Sequence, residues 1–375
     1  MRASRLVLVL VLVALGAAGC APTALAPPTG IARLTEGARA AGLTLADPMA
    51  LDDETLNEVR HAIGGRGEAI DRLRHLDDWL RHARGELEYA PDEHLDAQQA
   101  YDQRRADCMA YALLFSSLAG KSLGIPTTLL HATEIVTHQE RRGWFYVSSH
   151  VAVGHGTGPN AVVFDFSAGR LTNWHLSPYE PIDDATAAAL HYNNVAVGFM
   201  AAGRMTQAER LLTVLADVAS DAPEPTNNLA VARNRLGQHS DALRLLQGAL
   251  ARFPAYPPLY TNAIHAATAA GLPDLARQLE ARGREVADRD PFFLFARGLR
   301  LYETKSYTLA ARQFERASAA EPASPVLQAW LARAYLSAGD ADRGREAYDR
   351  ARELGPRASV VRDLERQFPE LVHAR

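Results

Sequence analysis

The strongest constraint on this 375-residue chain is a period. Ala208, in TQAERLL, is followed at steps of 34 by Ala242, Ala276, Ala310 and Gly344, without insertion or deletion. Five positions before each stands a turn residue: Gly203, Gly237, Gly271, Lys305 and Gly339. Twelve positions after each comes Ser220, Pro254, Asp288, Pro322 or Pro356. The pattern describes two short amphipathic helices joined at a turn. The small residue lets helices approach closely, and proline stops the second helix. One such unit cannot bury its own apolar face, so neighbours stack and share a core. The array spans 189–371, and ASVVRDLERQFPEL supplies a final helix that caps it.

This small–turn–small–Pro punctuation at a 34-residue period resembles the tetratricopeptide repeat. The resemblance implies an all-α solenoid of five units. Its concave surface is lined mainly by the first helix of each pair and serves protein or peptide partners. On the family's register that surface includes Asn193, Asn227, Asn234, His265, Phe295 and Tyr302.

The first half lacks the period. LNEVRHAIG and AIDRLRHLDDWLRHARG carry apolar residues at helical spacing, and the run from Cys108 to Leu123 is a helix ended by Gly124 and Pro126. The spacing then changes. PTTLLHATEIV, GWFYVSSHVAV and NAVVFDFSAG are rich in β-branched and aromatic residues and bounded by Gly, Pro and Asn. Helices followed by a small antiparallel sheet make an α+β domain over 46–180. SPYEPIDD, 177–184, is expected to link it to the repeats.

The N-terminus reads as an address. Arg2 and Arg5 precede LVLVLVLVALGAAGC, which is too short for a comfortable membrane span of about 20 residues. AAGC, 17–20, resembles a bacterial lipobox with Ala17 where Leu is usual. It implies a signal peptide over 1–19, lipidation at Cys20, and a Pro/Ala-rich tether over 20–45. The other reading is an ordinary secretory signal with an incidental cysteine. Ala21 after the cysteine, by resemblance to Gram-negative lipoproteins, implies an outer-membrane protein facing the periplasm.

With Cys20 lipidated, Cys108 is the one thiol left, since the chain has two cysteines. Asp107 is a plausible helix cap, which places Cys108 in the first turn. There unpaired backbone N–H groups and the helix dipole favour a thiolate and could hold an oxyanion. A thiolate nucleophile needs a base and a group to orient that base. A hairpin centred between Thr157 and Gly158 sets His150 across from Asp165 and leaves His155 in the turn. Asp165 lies among Val163, Phe164 and Phe166, where an unpaired carboxylate would be costly.

A helix-opening cysteine in DCMAYALLFSSLAGKSLGIP, then His150, then Asp165, resembles the transglutaminase-like superfamily of papain-like Cys-His-Asp folds. The resemblance covers about residues 50–180. It implies Cys108 as nucleophile, His150 as base and then acid, and Asp165 as orienter. Asp107 departs from the family's common glycine, and His150 is followed by Val-Ala-Val where an aromatic is frequent. The chemistry implied is acyl transfer from a protein or peptide amide, to water in a cysteine peptidase or amidase, or to an amine in a crosslinking enzyme. The alternative is a non-catalytic envelope scaffold that binds partners through its repeats. No cofactor is expected. No metal site is expected either, because Cys108, His131, His138 and His155 lack ligand spacing. A net charge of −4 gives no footprint for nucleic acid.

Overall fold

The structure, a computed structural model, describes residues 30–82, 85–90, 93–141, 144–156, 161–166, 169–172, 179–356 and 358–373. Its first half begins with helices α1 (Gly30–Ala40), α2 (Asp53–Ile63) and α3 (Ala69–His82). Strand β1 (Glu88–Tyr89), helix α4 (Ala97–Gln103) and strand β2 (Arg105–Ala106) lead into α5 (Cys108–Lys121). Five further strands follow: β3 (Thr128–Arg141), β4 (Trp144–His155), β5 (Val162–Asp165), β6 (Gly169–Thr172) and β7 (Glu180–Ile182). These form one antiparallel sheet in the order β6-β5-β4-β3-β7, while β1 and β2 pair in parallel.

Helix α5 is the buried axis of this half. Its sequence is apolar on every side, and Tyr111, Leu113, Leu114 and Phe115 are all buried. Asp107 caps it, its side chain accepting from the Ala110 N–H at 2.7 Å. Phe115 stacks on Phe164 at 4.7 Å and Tyr111 on Phe166 at 4.9 Å, so α5 runs against the direction of β5. Its first residue therefore projects past the end of that strand, at the rim of the sheet.

Three local expectations differ from what is observed. Residues 30–40, inside the expected tether, form α1, which buries Leu34 and Ala38 completely against the first two repeat helices. An apolar residue every fourth position drives this, in a stretch that has no proline after Pro28. Within the expected linker, Glu180–Ile182 pairs with Leu129–His131 as the edge strand β7. His155, expected in the turn, is in β4 opposite Val162, and its Nδ1 lies 2.9 Å from the Pro126 carbonyl oxygen. Cys20 and the signal segment lie outside the described residues.

The second half stacks helices in pairs: α6 (Asp184–Ala201) with α7 (Met205–Val218), α8 (Pro223–Arg235) with α9 (His239–Arg252), and α10 (Pro257–Ala269) with α11 (Pro273–Ala287). Next come α12 (Pro291–Glu303) with α13 (Tyr307–Ala320), α14 (Pro325–Ser337) with α15 (Ala341–Leu354), and the closing helices α16 (Ser359–Gln367) and α17 (Glu370–His373). Pro223, Pro257, Pro291 and Pro325 open the first helix of four units, where a missing N–H costs nothing. The periodic alanines are buried, and Lys305 takes the left-handed conformation (φ 60°) that glycine supplies at the other turns.

One hydrophobic core runs from the first half into the array. Leu73, Leu76, Tyr111 and Phe115 belong to the same cluster as Ala187, Leu211, Leu212 and Ala232. Beyond it the array's core is interrupted. Residues Ala230 to Phe293 form one cluster and Leu294 to Leu371 another. At the junction Glu280 occupies a row otherwise filled by Leu212, Leu246, Phe314 and Tyr348. Glu280 is buried, and it pairs with Arg297 at 3.0 Å and with Arg300 across the junction, and with Arg284 at 4.0 Å on its own helix.

Candidate active site

Cys108 is the first residue of α5 and is half-buried. As a first-turn residue it has an N–H without an intrahelical acceptor. His150 comes from β4 and Asp165 from the end of β5. Their pairing differs from the expected hairpin by two positions. Val153 lies opposite Phe164 and Gly154 opposite Val163, so continuing the register sets Asp165 opposite Ala152 rather than His150. A shift of two keeps both side chains on one face of the sheet. The two residues meet as diagonal neighbours, His150 Nε2 lying 2.6 Å from Asp165 Oδ2.

With Nε2 committed to the carboxylate, the other imidazole nitrogen is left for sulfur, and Cys108 stands close enough for its charge to act on this imidazole. Burial alone would hold His150 neutral. The hydrogen bond to Asp165 and the influence of the nearby Cys108 and Asp165 charges more than reverse this and push its pKa up to about 10. Sequence, helix start and sheet thus bring together the three residues expected to meet.

Several residues that sequence reasoning missed support this group. Tyr179 is buried just before β7, and its hydroxyl donates to the same Asp165 Oδ2 at 3.0 Å. Burial and the neighbouring Asp165 charge raise its phenol pKa. Arg81 on α3 donates to the main-chain carbonyls of Asp165 at 2.8 Å and Phe166 at 3.0 Å, and is itself held by Asp77 at 2.7 Å. Tyr111 of α5 also donates to Asp77. Helix α3 therefore locks the end of β5 to the cysteine helix. The signals were weak: Tyr179 sits in a Pro-flanked polar stretch, and Arg81 is one of several arginines in its helix.

Behind the cap, Asp107 Oδ2 lies 3.7 Å from His94 Nδ1. His191 of α6 is buried nearby. Burial pushes its pKa down to about 4, with Asp107 opposing and His94 reinforcing the shift. A second link joins sheet and repeats. His131 of β3 lies 3.1 Å from Glu224 of α8, both side chains being 6% exposed.

The residues expected to line the repeat groove are placed differently from one another. Asn193 and Asn227 are buried in a ladder. Asn228 donates to Asn193 at 2.9 Å, Asn227 to Asn228 at 3.1 Å and Asn262 to Asn227 at 2.8 Å. The ladder ties the first helices of three units together, because residues about one period apart face each other across the stack. Phe295 is a core residue, 4% exposed and packed on Phe314 and Trp330, since its side of α12 turns inward. Asn234 pairs with His239 at 2.7 Å, and Tyr302 with Ser337 at 2.9 Å. Of the six, only His265 is exposed.

Residues 301–368 match the family model described as tetratricopeptide repeat. The second half of the chain is a tetratricopeptide repeat array. Among solved structures, a thermophilic tetratricopeptide protein of Thermus thermophilus is 23% identical and covers 49% of this chain and 99% of its own, with a TM-score of 0.42. YrrB, a tetratricopeptide protein with an unusual peptide-binding site, is 16% identical over 48% of this chain and 92% of its own (TM-score 0.33). MamA of Desulfovibrio magneticus RS-1 is 18% identical over 46% and 97% (TM-score 0.35). No curated protein matches the chain in sequence. Among the described residues no cluster of acidic, histidine and cysteine side chains could hold a metal, and no helix is long and apolar enough to cross a membrane.

Proposed function

We propose that the chain is an envelope lipoprotein in which a Cys-His-Asp acyl-transfer site is joined to a protein-binding tetratricopeptide array. The observation that carries this reading is the His150–Asp165 hydrogen bond of 2.6 Å on an imidazole that also feels the Cys108 charge. A lone packed cysteine has no use for an oriented imidazole, and a surface histidine has no use for a buried carboxylate. Cys108 attacks an amide carbonyl of a protein or peptide, His150 handles the proton, and Asp165 orients His150. The leaving amine departs with a proton from His150, and the thioester then passes its acyl group to water, as in the transglutaminase-like hydrolases, or to a lysine amine. Water is the favoured acceptor, since Cys108 is only partly buried and water is the most abundant nucleophile at such a site.

Labelling the mature protein with iodoacetamide at neutral pH tests the site. Cys108 is expected to react at least about tenfold faster than a free thiol, and His150→Ala to slow it by about tenfold or more. Reaction at the free-thiol rate, indifferent to His150, would leave the scaffold reading in its place. The anchor rests on AAGC and the apolar run before it. Cys20→Ser should release the protein from membrane fractions, and retention there would overturn the lipoprotein assignment.

A further inference from the structure

Cys108 has a second polar neighbour that the Cys-His-Asp reading leaves unused. The parallel pairing of β1 with β2 sets Tyr89 opposite Ala106, two residues before Cys108. On its other side the Tyr89 ring lies 5.7 Å from Phe166, the residue after Asp165. The phenol thus stands between the start of the cysteine helix and the strand end that carries the aspartate. It is 51% exposed, which puts it at the mouth of the site rather than in its floor. It lies near enough to Cys108 for that charge to act on it, and burial together with the Cys108, Asp107 and Asp165 charges pushes its pKa up to about 12, so at neutral pH it is a proton donor.

We propose that Tyr89 is a catalytic residue: its O–H is the second oxyanion donor, opposite the Cys108 backbone N–H. The assignment rests on the acyl-transfer reading of Cys108. When the sulfur attacks, the C–S bond forms and the carbonyl π pair moves onto oxygen. That oxygen ends within about 3 Å of the sulfur it has just met. A hydroxyl held beside the start of the cysteine helix has to swing only a short way to reach it, and the helix-start N–H is the other donor. The nucleophile's proton resides on His150. On collapse the C=O bond re-forms, the leaving group departs, and the Tyr89 hydroxyl is released. In the preceding helix the Gln99 side-chain oxygen accepts from the Asp96 N–H of its own capping box.

The test compares two reagents on one thiol, using the mature protein and Tyr89→Phe, which keeps the ring and its packing on Phe166. Acylation by p-nitrophenyl acetate forms a tetrahedral oxyanion and releases p-nitrophenolate, whereas alkylation by iodoacetamide is a displacement that forms none. Tyr89→Phe is expected to slow acylation by about ten- to a hundredfold, below the range for a fully enclosed donor because the phenol is half exposed, and not to slow alkylation. Equal slowing of both reactions would make Tyr89 a residue that positions the thiol, and acceleration of both a cover over it. No change in either would make it a bystander. Each of these overturns the assignment. A wild-type protein whose Cys108 reacts with neither reagent faster than a free thiol removes the acyl-transfer reading, and the role of Tyr89 with it.

Discussion

Asp165 Oδ2 accepts from both His150 and Tyr179, and the backbone behind it is held by Arg81. This carboxylate sets the charge of its neighbour. Replacing Asp165 with Asn removes a hydrogen bond and a charge that raise the imidazole pKa, so the His150 pKa should fall from about 10 to near or below the ordinary 6.5, read from its ring proton shifts against pH. The same shift governs stability. A histidine with a raised folded pKa contributes stability that is fully present below about 6.5 and is lost as pH rises through about 10. His191, pushed down to about 4, works oppositely: its contribution is present above about 6.5 and is lost as pH falls toward 4. Urea midpoints should therefore peak near neutrality, with His150→Gln flattening the alkaline limb and His191→Gln the acid limb. The three central residues were legible in the sequence because each carries chemistry that its setting makes odd: a thiol at a capped helix start, a histidine in a strand, an aspartate among Val163, Phe164 and Phe166. Tyr89 and Tyr179 were not. A tyrosine is ordinary in almost any setting, and only tertiary contacts reveal what its hydroxyl touches.

Among the elements, those set by local pattern could be read from the sequence, and those set by pairing or packing could not. Helix α5 and the repeat helices carry their caps, turns and prolines with them. The β4–β5 register depends on how strands slide in three dimensions, and the expected pairing was two residues off. The His150–Asp165 contact survived because an even shift preserves the face. Strand β7 pairs through its backbone, for which the Pro-containing SPYEPIDD leaves little side-chain trace. Helix α1 is the clearest difference, since two apolar residues four apart in a short segment after a proline-rich run are a weak local signal that packing on α6 and α7 completes. Leu34 is fully buried there, so Leu34→Ala should cost about 2–4 kcal/mol in equilibrium unfolding. A change under about 0.5 kcal/mol would restore the picture of a loose tether.

At the scale of the whole molecule, the core that runs from α5 into the first two repeat pairs makes the two halves one cooperative unit. The buried His131–Glu224 contact also joins the sheet to α8, and the Asn193–Asn228–Asn227–Asn262 ladder ties α8 to α6 and α10. The last two repeat pairs have a core of their own beyond Glu280. A repeat array loses stability where a nearest-neighbour interface is weak. Amide hydrogens in α12 to α15 should therefore exchange through an opening that leaves α5 to α9 protected, and Glu280→Ala, which removes the ion pairs with Arg297 and Arg300 across the junction, should widen the gap. Uniform exchange across the array would mean that the junction is as strong as the others. The period in the sequence announced the stack but not this break, since Glu280 falls in register and only its row of apolar counterparts marks it.

A joint held by charge also moves differently from one held by interlocked methyl groups. Apolar side chains must lift out of their sockets before two surfaces can slide, whereas the Glu280 carboxylate can pass between Arg297, Arg300 and Arg284 without ever being left bare. Such a joint should let the distal repeats turn on the proximal ones more easily than an apolar row would, while the proximal pairs share their core with the first half.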